Sequence, residues 1–390
     1  MSTPTAVADF LPDLQAIKSQ GLFRGLIEVQ GPQGPTITVN DRTLLNFCSN
    51  DYLGMANDKR LVAAMHKAVD RYGVGSGASP LICGRSEAHQ SLERKVAELT
   101  GRDRALLFSS GYAANLAVVT ALGGGRGGVV IGDRLNHASL VDGAVLSRAR
   151  IGRFRHGDAG SLTRRLREAG TKKLVLTDSV FSMDGDIAPL PEISKLCKKY
   201  NALLVVDDAH GYGVLGDKGG GTLPLHGLGQ DDVPVLILTF GKAVGVAGAC
   251  VAGRSDIIEM LIQKARPYIY STAPPPALAM TISTSLEIIR AADASRAHLF
   301  NLIELFKRRA CERCLTIKDS NTPIQPLIAG TGAEAVRISA DLLRHGILVT
   351  AIRPPTVPVN GSRLRITLTA AHNENQVNKL LEALSQAVKS

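Results

Sequence analysis

Short runs of apolar, mostly β-branched residues alternate with amphipathic segments through the middle of the chain. The apolar runs predict strands at 105–108, 128–133, 173–178, 202–208 and 235–240. The segments between them predict helices at 113–122, 162–169 and 191–200. Continuous apolar strands separated by helices are typical of a parallel sheet that is buried on both faces. We therefore expect an α/β fold with right-handed crossovers.

The pattern changes after three consecutive prolines at 274–276. A helix is predicted at 277–291, and strands are predicted near 324–328, 347–350 and 363–369. The 390 residues are enough for two or three domains. We expect an N-terminal segment (1–45), a large domain (46–275) and a smaller C-terminal α+β domain (276–390).

The stretch 233–253 is almost entirely apolar and is long enough to cross a membrane. Lys242 lies at its centre, where a charge costs about 2.5–3.5 kcal/mol on insertion scales. We therefore expect a buried strand, a turn and a second buried strand, and no membrane partner. The first thirty residues lack an apolar core of signal-peptide length, so a cytoplasmic location is expected.

The chain carries 45 basic and 35 acidic residues, which gives a net charge of +10. Such a balance suits nucleic acid, membranes or anionic small molecules. The basic residues are dispersed and lack the interleaved aromatics that stack on bases. A nucleic-acid-binding protein is therefore the weakest alternative, and we expect no nucleic-acid partner. Solvated helix faces explain most of the charge, and an anionic substrate or carrier is the functional interpretation.

Six cysteines are dispersed along the chain, which suits a reducing compartment. Cys311 and Cys314 form a CxxC pair, but no second pair or nearby histidine completes a zinc site. We expect two thiols on one helix face and no bound metal.

Polar residues follow several of the predicted strands, where ligands of open parallel sheets bind. Residues 109–112 (SSGY) come between a strand and a helix, whose free N–H groups suit a phosphate. Asp207 and Asp208 end a buried strand and point to opposite sides. His137 and His210 also follow strand ends.

Lys242 follows the strand at 235–240 in an apolar segment, where desolvation lowers the pKa of a lysine. A neutral amine reacts with an aldehyde, and a carboxylate such as Asp207 keeps a pyridine nitrogen protonated. An exposed turn lysine or a structural turn explains each feature taken alone. Together, the lysine, the carboxylate and the phosphate loop predict pyridoxal 5'-phosphate as the cofactor.

The motifs of this chain resemble those of the α-oxoamine synthases, which are fold type I PLP-dependent transferases. The matching segments include LNFCSNDYLG (45–54), FSSGYAAN (108–115), DRLNHASL (133–140), VFSMDGDIAPL (180–190), DDAHGYGVLG (207–216), TFGKA (239–243) and YSTAPPP (270–276). The resemblance runs from about Phe23 to the C-terminus. It implies a large domain with a mostly parallel sheet, a smaller C-terminal α+β domain, and a homodimer with active sites between the subunits.

The resemblance implies four catalytic residues. Lys242 would form the Schiff base and remove the substrate's α-proton, Asp207 would pair with the ring nitrogen, His210 would contact the phenolic oxygen, and His137 would stack on the ring. The implied cofactor-binding residues are Gly111, Tyr112, Ser182, Asp207, His210, Thr239 and Lys242. The implied substrate-binding residues are Arg24, Asn50, His137, Thr356 and Arg365, with Arg365 on the amino-acid carboxylate.

Within the family, DDAHG (207–211), TFGKA (239–243) and especially segment 350–372 resemble the members that act in biotin biosynthesis. The resemblance implies the condensation of L-alanine with a pimeloyl thioester. The thiol carrier would be coenzyme A or acyl carrier protein, both of which are anionic. We expect the basic stretches 148–155 or 164–173 to help recruit that carrier. The alternatives are the sister reaction of glycine with acetyl-CoA and, more distantly, an aminotransferase.

Overall fold

The computed structural model describes residues 10–389, so nine residues of the expected N-terminal segment and the last residue lie outside it. The helices are α1 (Leu11–Ser19), α2 (Lys59–Tyr72), α3 (Glu87–Thr100), α4 (Gly111–Leu122), α5 (Ala138–Leu146), α6 (Ala159–Glu168), α7 (Leu190–Lys199), α8 (Thr222–Leu225), α9 (Ser255–Lys264), α10 (Arg266–Ile269), α11 (Pro276–Arg290), α12 (Asp293–Glu312), α13 (Gly332–Arg344) and α14 (Glu374–Lys389). The strands are β1 (Val29–Gln30), β2 (Thr36–Val39), β3 (Arg42–Asn46), β4 (Arg104–Phe108), β5 (Gly128–Asp133), β6 (Arg150–Phe154), β7 (Lys172–Asp178), β8 (Leu203–Asp207), β9 (Val235–Thr239), β10 (Ala249–Gly253), β11 (Ile324–Gly330), β12 (Ile347–Leu348), β13 (Thr350–Ile352) and β14 (Ser362–Thr367).

A seven-stranded sheet forms the centre of the molecule, in the order β4-β10-β9-β8-β7-β5-β6. The strands from β9 to β6 run parallel to one another. β10 is antiparallel to both of its neighbours. The expected mostly parallel sheet is thus confirmed. β10 runs against its neighbours because only nine residues (240–248) join β9 to β10, and a parallel crossover needs a dozen or more.

The sheet is covered by helices on both faces, as the continuous apolar strands predicted. Alternation along β4 sends Leu106 and Phe108 to one face and Ala105 and Leu107 to the other. The first face packs against α4, α5 and α9, and the second packs against α3, α6, α7 and α11. A fully buried leucine in such a core contributes roughly 1.5–3 kcal/mol.

The C-terminal part contains the antiparallel sheet β11-β14-β13. A further sheet, β1-β2-β3-β12, joins the N-terminal strands to this part, because β12 pairs in parallel with β3. The N-terminal segment thus packs with C-terminal residues. The division at 45 and 275 stays a prediction.

The predicted strand–turn–strand at 233–253 is confirmed by β9 and β10. Among residues 10–389, no helix has both the length and the apolar character needed to cross a membrane. The prediction for the CxxC pair is wrong in one respect. Cys311 lies in the last turn of α12, but Cys314 lies beyond that helix with a φ of 55°. Both thiols are free and exposed.

Candidate active site

Polar residues at the ends of the parallel strands meet at one edge of the central sheet. Asp207 is the last residue of β8, Lys242 follows the end of β9 by three residues, and His137 follows the end of β5 by four. The first turn of α4 approaches the end of β9, since a Cβ on Gly111 would come 2.6 Å from Thr239 Cγ2. The structure thus places the strand-end groups along a single edge.

The two adjacent aspartates at the end of β8 have different surroundings, as the alternation of a strand predicts. Asp207 Oδ2 accepts a hydrogen bond of 2.7 Å from Asn115 Nδ2. Asp208 accepts hydrogen bonds from the hydroxyls of Ser179 (2.5 Å) and Thr222 (2.8 Å). Burial raises the pKa of Asp208 to about 6. Asp208 is therefore enclosed by the protein. Asp207 is the carboxylate that we group with Lys242 and His137 at the edge of the sheet.

A continuous chain of hydrogen bonds leads from Lys242 to Arg365. Lys242 Nζ lies 2.8 Å from His210 Nε2, and the Tyr52 hydroxyl lies 2.7 Å from His210 Nδ1. The Tyr52 hydroxyl donates to Asn50 Oδ1 (3.2 Å), which also accepts from Arg365 Nη2 (3.1 Å). The Tyr52 hydroxyl has one proton and donates it to Asn50. His210 therefore donates from Nδ1 to the Tyr52 oxygen, and its Nε2 accepts from the lysine amine. The chain thus favours the tautomer of His210 that carries its proton on Nδ1.

Burial and nearby charges set the protonation of this chain. Burial lowers the pKa of Lys242 to about 8, although the carboxylates of Asp207 and Asp178 oppose that shift. Burial, together with the positive charges of Lys242 and Arg365, holds the pKa of His210 well below its ordinary value. At neutral pH the imidazole is neutral, and a fraction of the lysine is a free amine.

Arg365 of β14 is positioned by two of its nitrogens. Nε donates to the backbone carbonyl of Ser182, and Nη2 donates to Asn50. Ser182 thus contacts the arginine through its backbone rather than through its hydroxyl. The guanidinium also forms a side-chain hydrogen bond with Tyr52. A guanidinium in this state can still pair with a carboxylate.

Arg24 and Thr356 line a separate cavity of about 290 Å³. Arg353, which also lines it, donates to backbone carbonyls of the N-terminal segment. Thr350, a further lining residue, is the ladder partner of Arg365. The cavity therefore adjoins the end of the hydrogen-bonded chain.

His137 and Tyr112 lie in or next to the first turns of two helices at this edge. His137 precedes α5, and its Nδ1 accepts a 3.3 Å hydrogen bond from the Ser139 N–H. The backbone N–H of His137 donates to Asp178 Oδ2 at 2.7 Å. The Tyr112 hydroxyl donates to Asp142. The side chains of His137 and Tyr112 are both exposed.

Comparison with known proteins shows the family to which this chain belongs. A profile described as "Aminotransferase class I and II" matches residues 42–384. The "8-amino-7-oxononanoate synthase" of Pseudomonas putida (strain W619) is 53% identical over 97% of this chain and 96% of its own. This chain belongs to the 8-amino-7-oxononanoate synthase family.

Solved structures similar to this member of the 8-amino-7-oxononanoate synthase family share its fold over nearly the whole chain. A serine palmitoyltransferase of Sphingomonas wittichii has a TM-score of 0.92 at 31% identity, and the match covers 98% of each chain. A serine palmitoyltransferase variant from S. paucimobilis, solved with bound PLP and myriocin, has a TM-score of 0.91 at 27% identity. That match covers 97% of this chain and 96% of the other. These similarities confirm the fold type I prediction.

Three residues of this site received no role from the sequence. Tyr52 and Asn115 lie inside recognised motifs, but their hydrogen bonds to His210 and Asp207 depend on tertiary contacts. Asp178 ends β7 as Asp207 ends β8, and the two are ladder partners. Burial and the charge of Asp207 raise the pKa of Asp178 well above its usual range. The strand-end rule that selected Asp207 would also have selected Asp178.

Proposed function

We propose that the protein condenses L-alanine with a pimeloyl thioester, with loss of carbon dioxide and release of the thiol carrier. The product would be 8-amino-7-oxononanoate, which serves biotin biosynthesis. The observation that carries the chemistry is the contact of the Lys242 amine with a neutral His210, beside the strand-end carboxylate of Asp207. The printed name of the 53% identical relative supports the choice of substrates.

We infer that pyridoxal 5'-phosphate is the cofactor, and the residues present fit it. The amine of Lys242, with its pKa of about 8, suits an aldehyde. The first turn of α4 suits a phosphate, because a side chain at Gly111 would collide with Thr239 and its absence lets an anion approach the backbone. Asn115, buried and bonded to Asp207, orients that carboxylate toward a ring nitrogen. When bound, this group withdraws electrons from the α-carbon of an amino acid.

Each residue of the site would have its own role in this reaction. Lys242 holds the cofactor and moves the proton of the substrate's α-carbon. Asp207 would keep a proton on the ring nitrogen, and His210 would contact the phenolic oxygen. The exposed side chain of His137 would stack on the cofactor ring. The backbone of Gly111 and Tyr112 would bind the phosphate, and Ser182 and Thr239 would add hydrogen bonds to the cofactor.

We propose that Arg365, at one end of the site, and Arg24, at the other, bind the substrates. Arg365 would pair with the carboxylate of L-alanine, beside the amide of Asn50. Arg24 and Thr356 would bind the acyl donor in the adjoining cavity.

We also propose that the protein is a homodimer and that it acts in the cytoplasm. Three strongly exposed apolar side chains (Val74, Ile82 and Tyr270) support a partner surface, and the solution mass tests it.

Free-thiol release by the cofactor-loaded protein tests the function. L-Alanine or glycine would be combined with pimeloyl-CoA or acetyl-CoA, and pimeloyl-carrier protein would serve as a third donor. We expect release with L-alanine and a pimeloyl donor. Replacing Lys242 with alanine should lower the rate by about 10³-fold or more, because the variant loses both the covalent anchor and the base.

The matched control is Lys379→Ala, which removes an exposed lysine of α14. It should leave the rate unchanged. Release only with glycine and acetyl-CoA would assign the sister reaction instead. Exchange of keto acids without thiol release would assign an aminotransferase.

A further inference from the structure

Five arginines surround a surface cavity beside the edge strand β6. We call this the arginine pocket, and its volume is about 560 Å³. Its basic residues are Arg134, Arg153, Arg155, Arg164 and Arg165. Phe154, Ser161 and Glu168 complete the lining.

Most of the positive charge in the pocket is not neutralised by acidic side chains. Arg165 lies 3.5 Å from Glu168 and donates to the backbone carbonyl of Arg153. Within residues 10–389, none of the other four guanidiniums forms an ion pair. Such side chains attract anions over the distance of a Debye length.

The surrounding surface extends this excess. Segment 148–173 has nine Lys and Arg residues and two acidic residues, so it carries +7 of the chain's net charge of +10. Lysine and arginine on an edge strand also prevent edge-to-edge pairing. That role explains Arg153 on β6, but not the convergence of Arg134 from the β5 loop and Arg164 from α6.

The arginine pocket lies at the carboxyl ends of the parallel strands, as the active site does. The Arg134 N–H donates to the Phe154 carbonyl at the end of β6. Arg134 is also three residues from His137, so their Cα atoms are at most about 11 Å apart. Three strand spacings separate β6 from β8, which bears Asp207, and this corresponds to about 14 Å. A thioester on a flexible arm can bridge that gap.

We propose that the arginine pocket docks the acidic face of a carrier protein that presents the acyl thioester to the active site. The inference rests on the proposed function, since it names the partner that delivers the donor. The charge extends along all of segment 148–173, which is wider than the phosphates of one nucleotide need. An acidic protein surface complements such a patch, with effects on encounter rate and specificity.

The test compares two donors on one variant. The triple variant Arg153→Glu, Arg155→Glu, Arg164→Glu reverses three exposed charges of the pocket. KM would be measured for a pimeloyl-loaded acidic acyl carrier protein and for pimeloyl-CoA, at low and moderate salt. We expect KM for the carrier-protein donor to rise about tenfold or more with a weaker salt dependence, and KM for pimeloyl-CoA to change less than about threefold.

The matched control reverses the same number of charges elsewhere. Arg126→Glu, Arg308→Glu and Lys379→Glu lie on exposed positions outside the pocket and should leave both KM values unchanged. Binding of the unacylated carrier protein to immobilised enzyme gives a readout that is independent of turnover. It should weaken in the pocket variant alone.

Three outcomes would overturn the proposal. An equal rise in KM for both donors would assign the pocket to phosphates of coenzyme A. Unchanged carrier-protein binding would remove the pocket from docking, and an equal effect of the control would leave net charge as the cause. If the wild-type protein condenses neither donor, the proposed function fails, and the binding measurement still decides the docking surface.

Discussion

Two histidines near the same sheet edge are held through both ring nitrogens, yet their pKa values move in opposite directions. His210 lies between Tyr52 and Lys242, and its pKa is well below the ordinary value. His156 lies 3.1 Å from Asp133 and 2.7 Å from Asp186. Burial lowers the pKa of His156, but hydrogen bonds to the two carboxylates outweigh it and raise the pKa to about 9.

The difference shows that neighbouring charges, rather than burial alone, decide what each imidazole can do. Burial, together with the positive charges of Lys242 and Arg365, keeps His210 neutral, so its Nε2 lone pair is available to the amine of Lys242. The carboxylates beside His156 keep it protonated, so it ties the end of β5 to the segment around Asp186. We therefore propose that His210 acts with the reacting groups, whereas His156 bridges Asp133 and Asp186.

Among the substitutions that test this comparison, the largest effect is expected from His210→Phe, which keeps a ring of similar size and removes both hydrogen bonds. Loss of a group that contacts the lysine should lower kcat by about 10²- to 10⁴-fold. The pH profile of kcat/KM should also shift, because the amine loses its imidazole neighbour. Steady-state kinetics between pH 6 and 10 would measure both changes.

The control for that variant is His66→Phe, at an exposed histidine of α2. It should leave kcat and the profile unchanged. Wild-type kinetics in His210→Phe would mean that the contact with Lys242 does not serve catalysis. Equal melting temperatures of the two variants would exclude unfolding as the cause.

Much of the fold followed from the sequence because buried parallel strands carry a strong local signal. The predicted strand at 128–133 coincides with β5, and the predicted helix at 277–291 is shifted by one residue from α11. A strand, a turn and a second strand were expected at 233–253, and the short connection between them makes β10 antiparallel to β9. The position of Cys314 was missed because a CxxC spacing does not show where a helix ends.

The site was predictable where chemistry coincides with a strand end, as at Asp207 and Lys242. Tyr52 was not, because its hydroxyl reaches His210 across 158 positions of sequence. The bridge through His156 was missed for the same reason: Asp133 and Asp186 approach it from other segments. Spacing along the chain carries no record of such contacts.

An intermediate effect is expected from His156→Asn, and it should depend on pH. The folded-state pKa of about 9 exceeds the ordinary 6.5, so this group stabilises the fold fully below about pH 6.5. The stabilisation is lost as pH rises through 9. The shift corresponds to about 3 kcal/mol at most, so we expect the variant to lose about 2–3 kcal/mol of unfolding free energy at pH 6. Urea unfolding at pH 6 and pH 10 measures the difference.

The difference between wild type and variant should shrink toward zero at pH 10, since wild-type His156 is then neutral. A loss of equal size at both pH values would contradict the charge argument. It would instead assign the effect to packing, because the imidazole meets the Phe181 ring edge-on with centroids 4.3 Å apart. Activity at pH 7.5 should be nearly unchanged, which would separate this histidine from His210.

The smallest effect is expected from Tyr52→Phe, which removes one hydroxyl from the chain between His210 and Asn50. Tyr52 is a positioning residue, because it acts through His210 and Arg365 rather than on the reacting atoms. Without it, the Nδ1–H of His210 loses its acceptor, and one hydrogen bond of this kind is worth about 1 kcal/mol. We expect kcat to fall about fivefold.

The pH profile distinguishes positioning from a structural defect. Loss of the Tyr52 hydroxyl frees the tautomer of His210, so the profile of kcat/KM should move in the direction seen for His210→Phe, by less. Tyr72→Phe removes a surface hydroxyl bonded to Glu87 and should move neither kcat nor the profile. A fall in kcat with an unshifted profile would mean that Tyr52 supports the fold without setting the proton on His210.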